Sequence, residues 1–528
     1  MVESRRLPQA VPPPTSSGAW KNLRPFSPRG RRRFFAASCI RQESMAKLVA
    51  NRVTKTLLSS GLVLLLIAPS VSLSQDSQQS NITTNSQAQA WGDDKSVVLP
   101  ALEIVGFDFL LNRYNRRYQD RSTYDTSFSS IKHNLHSNWV VDQDRFKINQ
   151  LFHPYQGSMY FGFARSAGLG FWKSSAYTFA GSALWEIAGE TTLPSRNDQL
   201  ASGVGGDFLG EPLFRMANLL LERGGDSGSR FRRRIGATVI SPPTGFNRTF
   251  FGDRFDEVYP SHDPIHYSRL LLGTATTTQN VPDPSTGVKR NEGLADFSMD
   301  YGIPGKDGYS YGRPFDYFNF QVIASSANGA ESVMTRGLLF GTNYEAGQNY
   351  RGVWGLYGNY DYLAPQLFRV SSTALSVGTT ADWRLSSAVE LQGTGLVGTG
   401  YAAVGSVLGT NDSDNHYGVA PQALLSLRLI LGNRTSLDLG AHEYFVSSLG
   451  GAGRGGRDNI ARADASFTVR VYRRNGLTIK YLLTRRDASF PDLGSRTQTR
   501  GTIGLFYTLL GHERFGTVDW RNRGPGIR

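Results

Sequence analysis

The sequence predicts an all-β chain with a small helical element. The expected fold is an antiparallel transmembrane β-barrel of about 12 strands, with an N-terminal helical hairpin in or under its lumen. Three observations lead there: apolar and polar residues alternate through the C-terminal half, tight turns alternate with long polar loops, and an export-type leader precedes both. Composition agrees. Hydrophobic residues make up 39%, aromatics 12%, and glycine accounts for 58 of 528 positions, as expected of sheets with one wet and one apolar face.

The formal charge of +14 belongs mainly to the leader. Residues 1–74 hold 12 of the 57 Lys and Arg but 2 of the 43 Asp and Glu, leaving 45 basic against 41 acidic residues in the rest. A nucleic-acid partner is therefore not expected. The single cysteine, Cys39, also lies in the leader, so the remainder offers no disulfide, thiolate nucleophile or cysteine metal site.

From Met45 the chain reads as a secretory signal peptide over 45–74. Lys47, Arg52 and Lys55 precede an apolar run from Leu57 to Ala68, and Ser72 and Ser74 stand before the expected cleavage next to Ser74. Residues 1–44 fit no part of that signal and read as a disordered or mis-assigned leader. Residues 75–96 read as a disordered polar linker. Residues 97–260 are expected to form an N-terminal periplasmic or luminal region, and 261–528 the barrel.

The barrel strands are read backwards from the C-terminus. Ile503, Leu505 and Tyr507 alternate with Thr502, Gly504 and Thr508; Leu477, Ile479 and Tyr481 alternate with Thr478 and Lys480. Strands are expected near 498–510, 476–487, 460–474, 434–446, 418–431, 387–400, 371–385, 351–362, 331–345, 315–326, 293–302 and 264–275. Two more would join, for fourteen, if the segments beginning at Ala101 and Arg234 were extended. Asn475-Gly476, Gly432-Asn433 and Leu385–Ser387 are read as tight turns. Loops are expected at 402–417, 447–458 and 487–495. Tyr317, Tyr357, Tyr401, Tyr444, Tyr472 and Tyr507 are placed in an aromatic girdle. The inward basic residues Arg336, Arg428, Arg470, Lys480 and Arg500 either favour anions in a pore or pair with Asp382, Glu390 and Asp438.

The stretch "FWKSSAYTFAGSALWEIAGE", 171–190, is apolar but interrupted by Lys173 and Glu186. It reads as a helix packed against protein rather than lipid. Two helices are expected, about 157–189 and 200–222, joined at Pro194–Asp198 with Ser195 or Asn197 capping the second. Gly205, Gly206 and Gly210 within it each cost about 1 kcal/mol relative to alanine, a sign of close packing.

Residues 153–215 resemble an uncharacterised bacterial family, a domain of unknown function in exported proteins of the outer-membrane kind. The resemblance is carried by His153-Pro154, Gly157, Tyr160, Ala164-Arg165, Phe171-Trp172, Ser174, Gly181-Ser182, Trp185-Glu186, Glu190, Pro194-Ser195, Asn197-Asp198, Gly205-Gly206, Gly210-Glu211 and Arg215. It implies membership and location and brings no established activity. Arg165, Glu186, Glu190, Asp198, Glu211 and Arg215 are balanced in sign and are expected to pair at the hairpin junction.

His153, Ser158, Glu186, Glu190 and Asp198 are the candidates for a base, a nucleophile and an orienting carboxylate, but no G-x-S-x-G or H-E-x-x-H motif accompanies them. No catalytic residue is assigned, and no metal site or cofactor is expected. His153-Pro154 reads as an extended entry to a helix. The functional expectation is a non-enzymatic plugged channel, a transport-related barrel or an envelope-structural barrel of a Gram-negative outer membrane. The alternative is a lipid-modifying or lipid-hydrolysing barrel enzyme. Expected partners are outer-membrane lipid and the outer-membrane insertion machinery; the ligand is unknown.

Overall fold

The computed structural model describes residues 95–222, 227–252, 260–281, 288–405, 415–447, 450–451, 455–491 and 494–517. The segments read as leader, signal peptide and most of the linker, and parts of the loops expected at 402–417, 447–458 and 487–495, lie outside the described residues.

Twelve strands form a closed antiparallel barrel. They are β1 (His266–Val281), β2 (Asn291–Tyr301), β3 (Phe318–Ser325), β4 (Gly329–Ala346), β5 (Tyr350–Leu363), β6 (Arg369–Arg384), β7 (Val389–Gly405), β8 (Asn415–Leu431), β9 (Thr435–Ser447), β11 (Arg457–Tyr472), β12 (Asn475–Phe490) and β13 (Gly494–Leu510); β10 (Gly450–Gly451) is a short addition beside β8. Each strand pairs with its sequence neighbour, β1 pairs with β13, and β8–β9 completes the ring. Closure leaves no unpaired edge, which a wall facing lipid requires.

Two tight connections form as read: Gly432 takes φ +52 between β8 and β9, and 385–388 link β6 to β7. Asn475-Gly476 is not the turn. Arg473 adopts φ +48 instead, and Asn475 opens β12, its amide donating to Tyr472 O at 3.2 Å. The expected loop at 487–495 shrinks to 491–493 because β12 and β13 stay paired to Phe490–Gly494. Long and short connections do not fully segregate either, since 302–317 sits at the short-turn end.

The two faces of the wall are fixed by side chains that meet between non-neighbouring strands. Arg269 on β1 reaches Asp438 on β9 at 2.8 Å, and Arg428 on β8 reaches Asp300 on β2 at 2.9 Å. These residues face the lumen. The alternate face carries exposed Leu477, Ile479, Ile503, Leu505 and Tyr507, the apolar outer surface. Tyr357 and Tyr444 belong to the inner set and are fully buried, and Tyr317 and Tyr401 are covered. Of the expected girdle, only Tyr472 and Tyr507 stand exposed.

The helical element comprises α1 (Val98–Tyr118), α2 (Arg121–Tyr124), α3 (Phe128–His136), α4 (His153–Ser166), α5 (Phe171–Leu184), α6 (Arg196–Leu200), α7 (Gly206–Glu222), α8 (Ser227–Ile240) and α9 (Pro242–Phe250). Both segments proposed as extra strands are helical, in α1 and α8–α9, so neither adds a strand to the barrel. The expected first helix splits at Ala167–Gly170, where Gly168 takes φ +88. π turns at Ile148–Phe152, Trp185–Gly189 and Ala201–Gly205 abut α4, α5 and α7. His153 is helical rather than extended, because the wide turn before it runs straight into α4 with Pro154 in the first turn.

Stretch 171–184 packs on protein as expected, burying Phe171, Ser174, Thr178, Gly181 and Ser182. No helix among the described residues is long and apolar enough to cross a membrane. The backbones of α4 and α7 nearly touch: a Cβ on Gly157 would lie 1.9 Å from Ser202 O, and one on Gly206 2.7 Å from Gly157.

The described contacts between the helices and the strands lie on the outer face of the wall. Thr335 Oγ1 donates to Phe208 O at 2.9 Å, Tyr360 OH donates to Gln150 O at 2.6 Å, and the Phe146 ring lies 5.9 Å from that of Tyr362. Thr335 pairs with Tyr360, and Tyr360 with Thr373, one residue out of step with the lumenal row of Arg336 and Asn359. A one-residue step changes the face. The helical element therefore rests on the outer wall of β4–β8, which corrects the expectation of a hairpin in or under the lumen.

Replacing Gly157 by alanine is expected to overpack the α4–α7 crossing at a cost of about 1–3 kcal/mol. Limited proteolysis should then cut 150–222 faster than in the parent while heat-modifiable gel mobility, the mark of the closed barrel, stays unchanged.

Candidate functional site

Four of the five candidate residues converge in the helical element. His153 opens α4, Glu186 lies in the π turn after α5, Glu190 caps that turn, and Asp198 sits in α6, where the preceding N-cap Ser195 accepts from Asp198 N at 3.2 Å. One ligand atom from each of His153, Glu186 and Asp198 lies within 4.8 Å of the others. All three are buried. Ser158 does not join them, since its hydroxyl turns back to Tyr155 O at 2.6 Å.

Each group is held from behind. His153 Nδ1 is 3.2 Å from Ser202 Oγ, and Ser195 N–H donates to Glu186 Oε2 at 2.8 Å. Asn197 donates to Asp198 Oδ1 at 3.1 Å, and Trp185 Nε1 donates to Glu190 Oε1 at 3.0 Å. Asn197 also accepts from Asp142 N at 2.8 Å and donates to Tyr417 OH on the outer wall of β8 at 3.2 Å.

Burial, then the charges of Asp198 and Glu190, pushes the Glu186 carboxyl well above the usual range. Burial, then Asp142, does the same to Asp198. Burial also raises Glu190 and lowers His153, favouring a neutral imidazole. Asp142, Ser202, Asn149 and Tyr417 escape the sequence reading; the only local signal is the D-x-D spacing of Asp142 and Asp144.

The remaining motif residues build the frame. Arg165 grips Glu211 with two bonds of 2.6 and 2.9 Å, and Arg215 reaches the same carboxylate at 2.8 Å and Asp316 at 3.0 Å. This buried chain ties α4 and α7 to the loop 302–317. Burial alone would raise Glu211, but the two guanidiniums overcome it and hold the carboxyl below its usual range. Glu186, Glu190 and Asp198 take no part in that pairing, so the expected single junction divides into an ion-pair chain and a separate acidic cluster. Gly181 gives room to the Tyr160 ring, Trp185 is buried, and Trp172 stacks on Phe340 of the barrel wall at 5.5 Å.

Residues 138–243 match the model of a domain of unknown function, DUF3943. That segment contains the whole cluster except the wall residue Tyr417. No curated protein matches the chain significantly. Among solved structures, the outer membrane channel DcaP of Acinetobacter baumannii is similar at 10% identity, covering 46% of this chain and 96% of that one with a TM-score of 0.21. The translocator domain of the autotransporter NalP from Neisseria meningitidis is similar at 14% identity, covering 50% and 94% with a TM-score of 0.21. OmpT of Vibrio cholerae gives 9% identity, 46% and 98% coverage and a TM-score of 0.19. The barrel assignment rests on this chain's own strand order and register.

Glu211→Ala leaves two buried guanidiniums facing each other and is expected to destabilise the helical element by about 3–5 kcal/mol, measured by denaturant unfolding followed at tryptophan. Asp207 supplies a pH test. Burial raises its carboxyl to about 8 despite bonds from Ser175 and Thr178. The folded state thus holds this proton more tightly than the unfolded one, so its contribution is full below the unfolded pKa of about 4 and is lost as pH rises towards 8. Melting curves at pH 5 and pH 8.5 should differ, and Asp207→Asn should narrow that difference.

Proposed function

We propose that this chain is a Gram-negative outer-membrane protein, exported by a signal peptide cleaved near Ser74, whose barrel is a non-conducting anchor for the helical element on its wall. The observation that carries this reading is the set of paired charges that face one another across the lumen. Arg428 bridges Asp300 and Asp438, Arg269 also holds Asp438, Arg336 lies 3.1 Å from Asp361, and Lys480 lies 2.8 Å from Asp296. Arg500 pairs with Glu292, and Asp382 and Glu390 share the amide of Gln392. The small pocket lined by Arg336, Asn359, Gln422 and His442 has no room for a water molecule. An anion-favouring pore needs unpaired cations facing open water; here Arg269, Arg336, Arg428, Lys480 and Arg500 each pair with a carboxylate, while Arg470 donates to the Asn433 and Arg473 carbonyls.

Of the functions expected from sequence, an envelope-structural barrel fits best. A plug made of helices does not, because they lie outside the wall. Outer-membrane lipid around the apolar surface and the insertion machinery are its proposed partners. The lipid-modifying alternative draws on the His153–Glu186–Asp198 cluster, but Ser158, its proposed nucleophile, points away.

Planar-bilayer recording is the direct test. The full chain is expected to give no steady channel, and removal of 150–225 is expected to leave it closed. Replacing Arg269, Arg428, Asp300 and Asp438 together by alanine should open it. Conductance that follows deletion of 150–225 alone would reinstate a helical plug and defeat the anchor reading.

A further inference from the structure

We propose that His153, Glu186 and Asp198 form a binding site for one first-row divalent cation of the zinc or manganese class. The three donors come from three separate segments, α4, the turn after α5 and α6, yet their ligand atoms gather within 4.8 Å of one another. One imidazole with two carboxylates is a donor set that suits such ions, whereas sites for calcium and magnesium are built from oxygen alone.

A second, independent observation concerns His153. It is 7% exposed, its Nδ1 meets Ser202 Oγ at 3.2 Å, and no group among the described residues hydrogen-bonds its Nε2. Histidine ligands generally donate their second ring N–H to a fixed acceptor, which sets the tautomer and turns the other nitrogen's lone pair to the metal. With Nδ1–H given to Ser202, Nε2 carries that lone pair. The carboxylates are oriented in the same manner, Glu186 by the Ser195 amide and Asp198 by Asn197.

The surroundings point the same way. Glu186 and Asp198 are buried beside each other, and no lysine or arginine is seen to pair with either among the described residues. By contrast, Glu211 a few turns away is held by two arginines. Buried carboxylates without cations protonate, pair or bind metal. Here the imidazole beside them, held at Nδ1 by Ser202 with no hydrogen bond seen at Nε2 among the described residues, favours metal. Three π turns, the local geometry often found where a helix is bent to aim a side chain at a site, surround the cluster and carry Glu186 and Ser202. Bonds of about 2.0–2.2 Å set tetrahedral donors about 3.4 Å apart, so loading contracts the cluster and clamps the three segments together.

The experiment uses the full chain in detergent, stripped with a chelator, desalted and titrated with zinc chloride, then with manganese chloride. Metal content is read by elemental analysis and affinity by calorimetry. The expected result is one ion per chain, with affinity reduced more than about tenfold in His153→Gln, Glu186→Gln and Asp198→Asn. Ser202→Ala, which leaves every donor in place, should weaken binding about 10–100-fold and serves if a ligand variant fails to fold. Asp207→Asn should keep the ion. His512→Gln controls for the surface pair His266–His512, whose Nε2 atoms are 2.7 Å apart. Manganese bound at the site should show nitrogen coupling in its pulsed paramagnetic-resonance spectrum. The proposal is overturned if the folded parent takes up neither ion at micromolar concentration, or if uptake survives in Glu186→Gln, Asp198→Asn and Ser202→Ala alike.

Discussion

Side chains along a strand alternate between two faces, and closing twelve such strands in register makes each face a continuous surface of one chemistry. Everything else in this molecule follows from which residues fall on which side. The inner surface collects arginines, aspartates and hydroxyls that find partners across the lumen. The outer surface collects leucine, isoleucine and valine, except over β4–β8, where Thr335, Tyr360 and Tyr417 offer hydrogen bonds outward. The helical element sits on that stretch, and its acidic cluster is closed on one side by Tyr417.

Charges inside the barrel act on shape more than on net stability. Burying an ion pair costs desolvation that its attraction only offsets when the geometry is good, whereas losing one partner is expensive. Chains such as Asp300–Arg428–Asp438–Arg269 therefore favour one register over its neighbours. The Arg165–Glu211–Arg215–Asp316 chain does the same for the helices, which cross too closely at Gly157 and Gly206 to tolerate a shift.

The strands were legible because their signal is local. The alternation Leu477–Thr478–Ile479–Lys480–Tyr481 identifies both the strand and its wet face with no knowledge of neighbours. Strand ends were less so, because β12 and β13 extend through polar residues such as Ser489 and Arg496 that look like loop until paired. The position of the helices was not legible at all. Alternation tells which residues share a face but not what covers it, and Thr335, Tyr360 and Tyr417 become informative only once the lumenal row is known. In the cluster, residue types pointed to His153, Glu186, Glu190 and Asp198. Their separation from Ser158 and from the arginines depends on helix rotation and on the π turns, which composition does not reveal.

The hydroxyls of Thr335, Tyr360 and Tyr417 bind backbone or amide groups that only the helical element supplies. A bare barrel laid into hydrocarbon would leave these groups without partners, at a cost of several kcal/mol for each. The helical element thus completes the hydrogen bonding of its stretch of wall, and the wall in turn fixes where the helices sit.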